Sequence, residues 1–250
     1  MSATQPSPAA RWDHGLRREA LVGSILTEVF QGELRAGQHL VAQDLADRYG
    51  VSQTPIREAL ITLAGIGVVD LLPNRGAVVR TVTARDVREV CQVRRVLECE
   101  ATRAACGRID PGELAALTAD VTALTAAEPG PEYVRRARET DSRLHDRIAA
   151  SCGNDLLARE IGRLKLLFRA YRDVSWERVE ARNDYRRIPA EAREHLAVLA
   201  ALAAGDAKAA ARAMARHIRA GEKYWSRLVA GPPAGGRKPI DTQPRKGRRK

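Results

Sequence analysis

The spacing of apolar residues predicts a mixed helix and strand segment in the first third of the chain. Leu21, Ile25 and Val29 repeat every fourth residue, as on one face of a helix. Further along, Gly50 interrupts a short helical pattern, and a second pattern follows it. The elements predicted here are helices over 16–31, 42–49 and 52–64, and strands over 68–72 and 77–82 around the turn 73–76.

From Thr83 to Leu228 the spacing is helical throughout. Turn signals such as Asp110-Pro-Gly and Gly205-Asp divide this stretch into about six or seven helices, with no strand pattern among them. Fold class is therefore predicted as mainly α: a winged helix-turn-helix with a small β-hairpin, then an all-α antiparallel helical bundle. The predicted divisions are a disordered segment 1–10, the winged domain 11–82, the helical domain 83–230, and a basic disordered tail 231–250.

Net charge changes this picture little. The formal charge is +11, but the tail from Gly231 to Lys250 holds seven Lys or Arg against one Asp, and residues 11–82 sum to zero. DNA binding must therefore be argued from individual side chains.

The four cysteines form no CxxC pair, no signal-peptide pattern opens the chain, and no apolar run approaches the roughly 20 residues of a membrane span. We expect a reduced, cytoplasmic protein without a membrane partner.

The second predicted helix pair carries side chains suited to DNA. Gly50 permits a tight turn, Ser52 or Thr54 can cap the next helix, and a proline is tolerated in its first turn. Ile56, Ala59, Leu60 and Leu63 form its apolar face. Thr54 and Arg57 point away from that face. Hydroxyl and backbone N–H groups suit phosphate, whereas Arg57 suits a guanine edge or a phosphate. The alternative is that Arg57 pairs with a carboxylate on a solvated surface.

These residues resemble the signature of the GntR family of regulators. Leu45-Ala46, Gly50-Val51-Ser52, Thr54 to Leu60, Leu63, Gly67 and the wing Pro73-Asn74-Arg75-Gly76 match it. The resemblance implies a DNA-reading surface formed by Gln43, Ser52, Gln53, Thr54, Arg57, Asn74, Arg75 and Gly76. Gln53 stands where the family usually has arginine, and glutamine pairs more naturally with adenine than with guanine. A loop arginine such as Arg75 can also be merely solvated, and Asn74 can simply shape the turn.

Three histidines of the helical domain border apolar helix faces. Asp141 lies four residues before His145, so both project from one side of a helix. His195 and His217 lie on two later helices and should also point inward. One carboxylate and three imidazoles that converge would suit zinc or a similar divalent metal with open positions. The alternative for each histidine is a hydrogen-bonded core residue.

The helical domain resembles the FCD ligand-binding domain of FadR-like GntR regulators. The matching elements are Asp141-Ser-Arg-Leu-His145, Glu194-His195 and His217-Ile218, with leucine at 144 where the family often has phenylalanine. The resemblance implies a divalent metal, zinc before nickel or manganese, held by Asp141, His145, His195 and His217. It also implies a carboxylate effector near Arg94 of the R-x-x-L-E element and near Asn154. The alternatives are an Arg94–Glu98 pair and a capping role for Asn154.

Two classes of function follow from this sequence. A homodimeric regulator would place two winged domains on a pseudo-palindromic operator, and a small carboxylate would modulate its binding. A metal-dependent enzyme would use the same Asp/His₃ site to activate water, with Glu98 or Glu194 as a base. The sequence contains no HExxH motif, nucleophile elbow or phosphate-binding glycine loop, which favours the regulator. A metal-free sensor of a larger acyl ligand is a third hypothesis. The basic tail over 231–250 is either an additional phosphate contact or a solvated extension.

Overall fold

The N-terminal domain consists of three helices and a small antiparallel sheet. The computed structural model describes residues 8–30, 32–73, 75–126, 130–180, 185 and 187–230. In this domain they form α1 (Pro8–Phe30), β1 (His39–Leu40), α2 (Ala42–Tyr49), α3 (Gln53–Ile66), β2 (Val69–Leu72) and β3 (Gly76–Val79). β3 is the central strand and pairs antiparallel with both neighbours, Leu40 opposite Ala77 and Val69 opposite Val79.

Glycines in the left-handed region end the elements of this domain. Gly50 follows α2 with φ 64° and donates its backbone N–H to the carbonyls of Ala46 and Asp47. Ser52 is the extended residue before α3, without a side-chain capping bond, and Gly67 ends that helix with φ 93°. Gly76 has φ 89°, and a Cβ there would lie 2.1 Å from the carbonyl oxygen of Leu40. Only glycine can therefore bring β3 this close to β1.

Six described helices form the C-terminal domain, as the periodicity predicted. They are α4 (Ala84–Ala105), α5 (Pro111–Ala123), α6 (Pro131–Ser151), α7 (Asp155–Glu180), α8 (Arg187–Ala203) and α9 (Ala207–Ala230). α4 packs along α9, and α9 packs along α8. α7 packs on α4 and α6 and also reaches α1 and α3 of the N-terminal domain. Among the helices described, none combines the length and the apolar composition that a membrane crossing requires.

Two elements differ from the sequence prediction. α1 begins at Pro8, so residues 8–10 are helical although the segment 1–10 was predicted to be disordered. β1 was not predicted, because two residues are too few for an alternating pattern; it is a strand through its pairing with β3. The predictions for residues 1–7, for Asn74 in the wing turn and for the tail 231–250 lie outside the described residues.

Candidate metal centre and nucleic-acid interface

The four predicted metal ligands come together inside the helical domain. α6 contributes Asp141 and His145 one turn apart, α8 contributes His195, and α9 contributes His217. The three histidines are buried, and their ligand atoms and that of Asp141 all lie within 4.8 Å of one another. Nε2 of His195 is 3.3 Å from Nε2 of His217 and 3.5 Å from Oδ1 of Asp141. Nε2 of His145 is 3.6 Å from the same carboxylate oxygen.

These separations fit a divalent metal. Ligand atoms at about 2.0–2.1 Å from a tetrahedral zinc ion lie about 3.3 Å from one another. Nε2 of His145 is buried, and within the described part of the chain it neither accepts nor donates a hydrogen bond. A buried polar atom without a partner is costly, and a metal ion would satisfy it. Burial lowers the pKa of His195 well below its usual range, and nearby His217 lowers it further. His195 is thus in the neutral form that binds metals.

Two carboxylates orient the imidazoles from outside the centre. Nδ1 of His145 is 2.5 Å from Oε2 of Glu98, and Nδ1 of His217 is 3.0 Å from Oε2 of Glu194. In both rings Nδ1 is engaged, so Nε2 faces the centre. Carboxylate–histidine contacts of this kind fix the ring and its tautomer in metal sites. From the sequence, Glu98 was predicted only as the partner of Arg94 or as a base, and Glu194 only as a base, so this orienting role was not predicted.

Each of these carboxylates is held in turn by a buried arginine. Nε of Arg94 is 2.6 Å from Oε1 of Glu98, and the guanidinium of Arg187 binds both oxygens of Glu194 at 2.7 and 2.8 Å. Burial alone would raise the pKa of Glu98, but Arg94 and His145 outweigh it and lower that pKa to about 2. Burial likewise opposes His217 and Arg187 at Glu194, whose pKa is also lowered to about 2. Both groups are therefore carboxylates at neutral pH.

A cavity adjoins the metal centre. With its open mouth it contains about 500 Å³ of empty space. Asp141 and His195 line it on the ligand side, Arg138 and Arg187 add guanidinium groups, Glu191 adds a carboxylate, and the remaining wall is apolar, including Ile188 and Trp225. A mainly apolar wall with a few charged groups is typical of small-molecule sites.

The structure does not place the two predicted effector residues at this cavity. Arg94 is buried in its pair with Glu98, and its guanidinium lies 4.3 Å from the centre of the Phe168 ring. Asn154 caps α7, since its Oδ1 accepts a hydrogen bond from the backbone N–H of Leu157 at 3.0 Å. The ion pair and the cap are the alternatives to effector contacts that the sequence left open. Both are contacts within four residues of the chain, whereas an effector contact would depend on which distant segment lies opposite, and a local sequence pattern does not show that.

The predicted DNA-reading residues lie along one surface of the winged domain. Ser52, directly before α3, and Thr54 and Arg57 on α3 are exposed, while the opposite side of α3 is buried through Ile56, Ala59, Leu60 and Leu63. Arg75 is exposed in the wing turn. A groove between α3 and the β2–β3 hairpin is lined by Gln43, Gln53, Arg57, Arg75 and Gly76 among others. An exposed helix with a polar outer side beside a hairpin is the arrangement that winged domains use on DNA.

Side-chain hydrogen bonds connect the polar residues of this surface. Nη2 of Arg57 donates to Oε1 of Gln53 at 2.9 Å, and Gln53 donates to Gln43. Gln43 donates to Asp47 at 2.7 Å, so the chain of amides ends at a carboxylate. The amide oxygen of Gln53 is thus engaged by Arg57, an arrangement that the sequence alone did not predict.

Comparisons with known proteins agree with both halves of this description. Residues 17–79 match the family model "Bacterial regulatory proteins, gntR family", and residues 89–220 match the model of the FCD domain. The HTH-type transcriptional repressor RspR of Escherichia coli is 27% identical over 190 residues, which are 73% of this chain and 77% of the relative. A probable D-xylose utilization operon transcriptional repressor of Paenarthrobacter nicotinovorans is 28% identical over 198 residues, 78% of this chain and 83% of the relative.

Solved structures show the same fold. The Escherichia coli McbR/YncC structure superposes with a TM-score of 0.68 at 21% identity and covers 84% of this chain and 96% of that chain. The structure of a putative GntR regulator from Rhodococcus has a TM-score of 0.63 at 22% identity and covers 84% and 97%.

Proposed function

This chain belongs to the GntR family of bacterial transcriptional regulators and carries an FCD domain, and on that premise we propose that it is a homodimeric regulator controlled by a small carboxylate at a zinc centre. The families and relatives that it matches are DNA-binding regulators, so it is not an enzyme. The finer points, which are the metal, the carboxylate and the dimer, are the proposal. Nickel and manganese are the alternative metals.

The observation that carries the proposal is the orphaned Nε2 of His145. This atom is buried and directed to the region where Asp141, His195 and His217 also present ligand atoms. Three imidazoles and one carboxylate would hold zinc and leave a position for a further ligand. When bound, zinc supplies an electrophilic centre for an anionic oxygen. Glu98 and Glu194 orient two of these rings through their Nδ1 atoms.

The cavity beside the metal centre is the site we propose for the carboxylate. Asp141 and His195 connect the metal centre to this space. Arg138 and Arg187 add positive charge to its wall, although Arg187 is already paired with Glu194 and the wall also contains the Glu191 carboxylate. Most of the remaining wall is apolar, which favours an acid with a hydrocarbon part over a polyhydroxylated one. A thermal-shift screen of carboxylic acids, run with and without added zinc, tests this proposal. Stabilisation that needs the metal supports it, and acids that stabilise equally without the metal contradict it.

Metal content provides the first test. We expect about one zinc ion per chain after purification, and loss of that ion in His195→Ala. His39→Ala is the matched control because His39 is exposed in the winged domain, outside the four-ligand set. Equal metal content in the two variants would contradict the proposed centre. Metal-free protein that is stabilised by an acyl thioester would favour a metal-free sensor instead.

The DNA-binding surface is tested by selection from a random duplex library. We expect enrichment of a sequence with two half-sites related by a dyad, because a symmetric dimer presents two α3 helices. Arg57→Ala should lose the enrichment. Selected sequences without internal symmetry would count against the dimer.

A second copy of the chain has a suitable surface on α4. Val93 and Val96 are 47% and 65% exposed and lie near one another on the outer side of this helix. Burial of these two neighbouring valines against a second copy would remove apolar surface from water, which favours association. Sedimentation should give twice the chain mass of 27.4 kDa, and Val96→Glu should shift the mass toward the monomer. A monomeric wild type would refute this part of the proposal.

A further inference from the structure

The buried side chain of Arg94 contacts two different parts of the helical domain. On one side its Nε donates to Glu98, whose other oxygen receives Nδ1 of His145. On the other side its guanidinium carbon lies 4.3 Å from the ring centroid of Phe168 on α7. Arg94 is 6% exposed and Glu98 is 3% exposed, so water does not separate these groups. An arginine stacked on a ring and paired with a carboxylate has little freedom to move alone.

The same stretch of α7 contacts the DNA-binding domain. Nη1 of Arg163 donates to the carbonyl oxygen of Gly65 in the last turn of α3, at 3.3 Å. Gly67, which ends α3, faces Leu167: a Cβ on Gly67 would lie 3.4 Å from Cδ1 of that leucine. Leu167 precedes Phe168 directly in the sequence. Within six residues, α7 therefore contacts both the end of the DNA-reading helix and the arginine that holds the metal-site glutamate.

We propose that Arg94 is a positioning residue through which the filling of the metal centre changes DNA affinity. This inference rests on the proposed function, because it assumes that the four-ligand site binds a metal. To bind an ion, His145 must direct Nε2 at the metal. Any shift of its ring also shifts Glu98, because Glu98 is hydrogen-bonded to Nδ1 of the same ring. Glu98 cannot leave Arg94 without exposing an unpaired buried charge, so the guanidinium follows as well. Phe168 then passes the displacement to α7 and to the end of α3.

The proposal differs from an effector-binding role for Arg94. A residue that holds an effector would change effector affinity and leave the response to metal alone intact. A positioning residue changes how strongly metal and DNA affect each other. Such coupling is reciprocal: zinc must alter the affinity for DNA by the same factor by which DNA alters the affinity for zinc. A residue with a purely structural role leaves the size of this factor unchanged when it is replaced.

The test uses the full chain, zinc alone as the probe, and the duplex obtained by selection. DNA affinity is measured by fluorescence anisotropy with and without zinc, and zinc affinity by chelator competition with and without duplex. For the wild type we expect both ratios to agree and to lie in the range of about 5- to 150-fold that is typical of coupled sites. For Phe168→Leu we expect ratios close to one, although the variant still binds zinc and DNA.

Three further variants make the result specific. Phe168→Tyr keeps an aromatic face under Arg94 and should keep the wild-type ratio. Arg94→Lys keeps the positive charge beside Glu98 but loses the planar contact, and should behave like Phe168→Leu. Leu117→Ala removes buried apolar volume from α5, which packs on α6 and α8, and should keep the ratio. Arg94→Lys also decides the matter if Phe168→Leu does not fold.

The outcomes separate this inference from the proposed function. Zinc that binds to the wild type without altering DNA affinity overturns the coupling and leaves the metal centre in place. A wild-type ratio in Phe168→Leu, or its loss in Leu117→Ala, overturns the role of the Arg94–Phe168 contact. A chain that binds no metal overturns both proposals.

Discussion

Glutamine at position 98 tests whether the buried carboxylate supports both the fold and the metal centre. Oε1 of Glu98 lies 2.6 Å from Nε of Arg94, and its Oε2 lies 2.5 Å from Nδ1 of His145. The residue is only 3% exposed. Glu98→Gln keeps the shape of the side chain but removes its charge and one of its two acceptor oxygens. Arg94 is then a buried cation without a counter-charge.

The expected loss of stability follows from burial. Removing one partner of a buried ion pair costs about 3–5 kcal/mol. For a chain of this length each kcal/mol lowers Tm by about 2–4 °C, so Glu98→Gln should melt about 6–20 °C below the wild type. The matched control is Glu100→Gln, two residues away on the same helix. Glu100 pairs with Arg103, but both side chains are more than half exposed, so the loss should be below about 1 kcal/mol.

The same pair of variants tests the metal centre. Changes in the groups that orient metal ligands usually weaken metal binding by about 10- to 100-fold. Glu98→Gln should show that loss in chelator competition, whereas Glu100→Gln should bind zinc like the wild type. Differential scanning calorimetry of the metal-free proteins measures the stability effect separately. Equal melting of the two variants, or unchanged zinc affinity in Glu98→Gln, would refute the reasoning.

Three further predictions concern the winged domain and its junction with α4. Arg57→Ala should weaken binding to the selected duplex by about 5- to 150-fold. Arg57→Lys should weaken it less, since lysine keeps the charge but loses the paired donors. Equal anisotropy curves for the wild type and the two variants would contradict a base contact. Gly76→Ala should strongly destabilise the protein, because φ of Gly76 is 89° and a Cβ there would meet a strand carbonyl. Its control is Gly23→Ala in α1, where open space surrounds the glycine; this variant should be more stable than wild type by up to about 1 kcal/mol in urea titrations. Similar changes of stability in both variants would argue against the proposed role of Gly76 in the turn. Burial raises the pKa of Asp86, but hydrogen bonds with Thr83 at the start of α4 outweigh it, and the pKa lies below its usual range. The advantage of wild type over Asp86→Asn should therefore be present at neutral pH and shrink as the pH falls below about 4; an advantage independent of pH in urea titrations would show that the charge is unimportant.

Local sequence determined the elements and the positions of their chemistry. The repeat of Leu21, Ile25 and Val29 and the later helical spacing predict the helices, because a helix buries residues three and four apart whatever it packs against. Gly50 ends α2 where the sequence places it, since its left-handed backbone is a property of that residue. Asp141 and His145 share a face of α6 by their spacing alone.

Tertiary structure decided which of those side chains meet. Glu98 and His145 are 47 residues apart, and nothing in either local pattern indicates that they form a hydrogen bond. Arg94 has the same local sequence whether it faces an effector or Phe168, and only the packing of α7 on α4 selects the ring. Local spacing specifies the face on which a residue lies, whereas its partner depends on contacts between distant segments that form only in the folded chain.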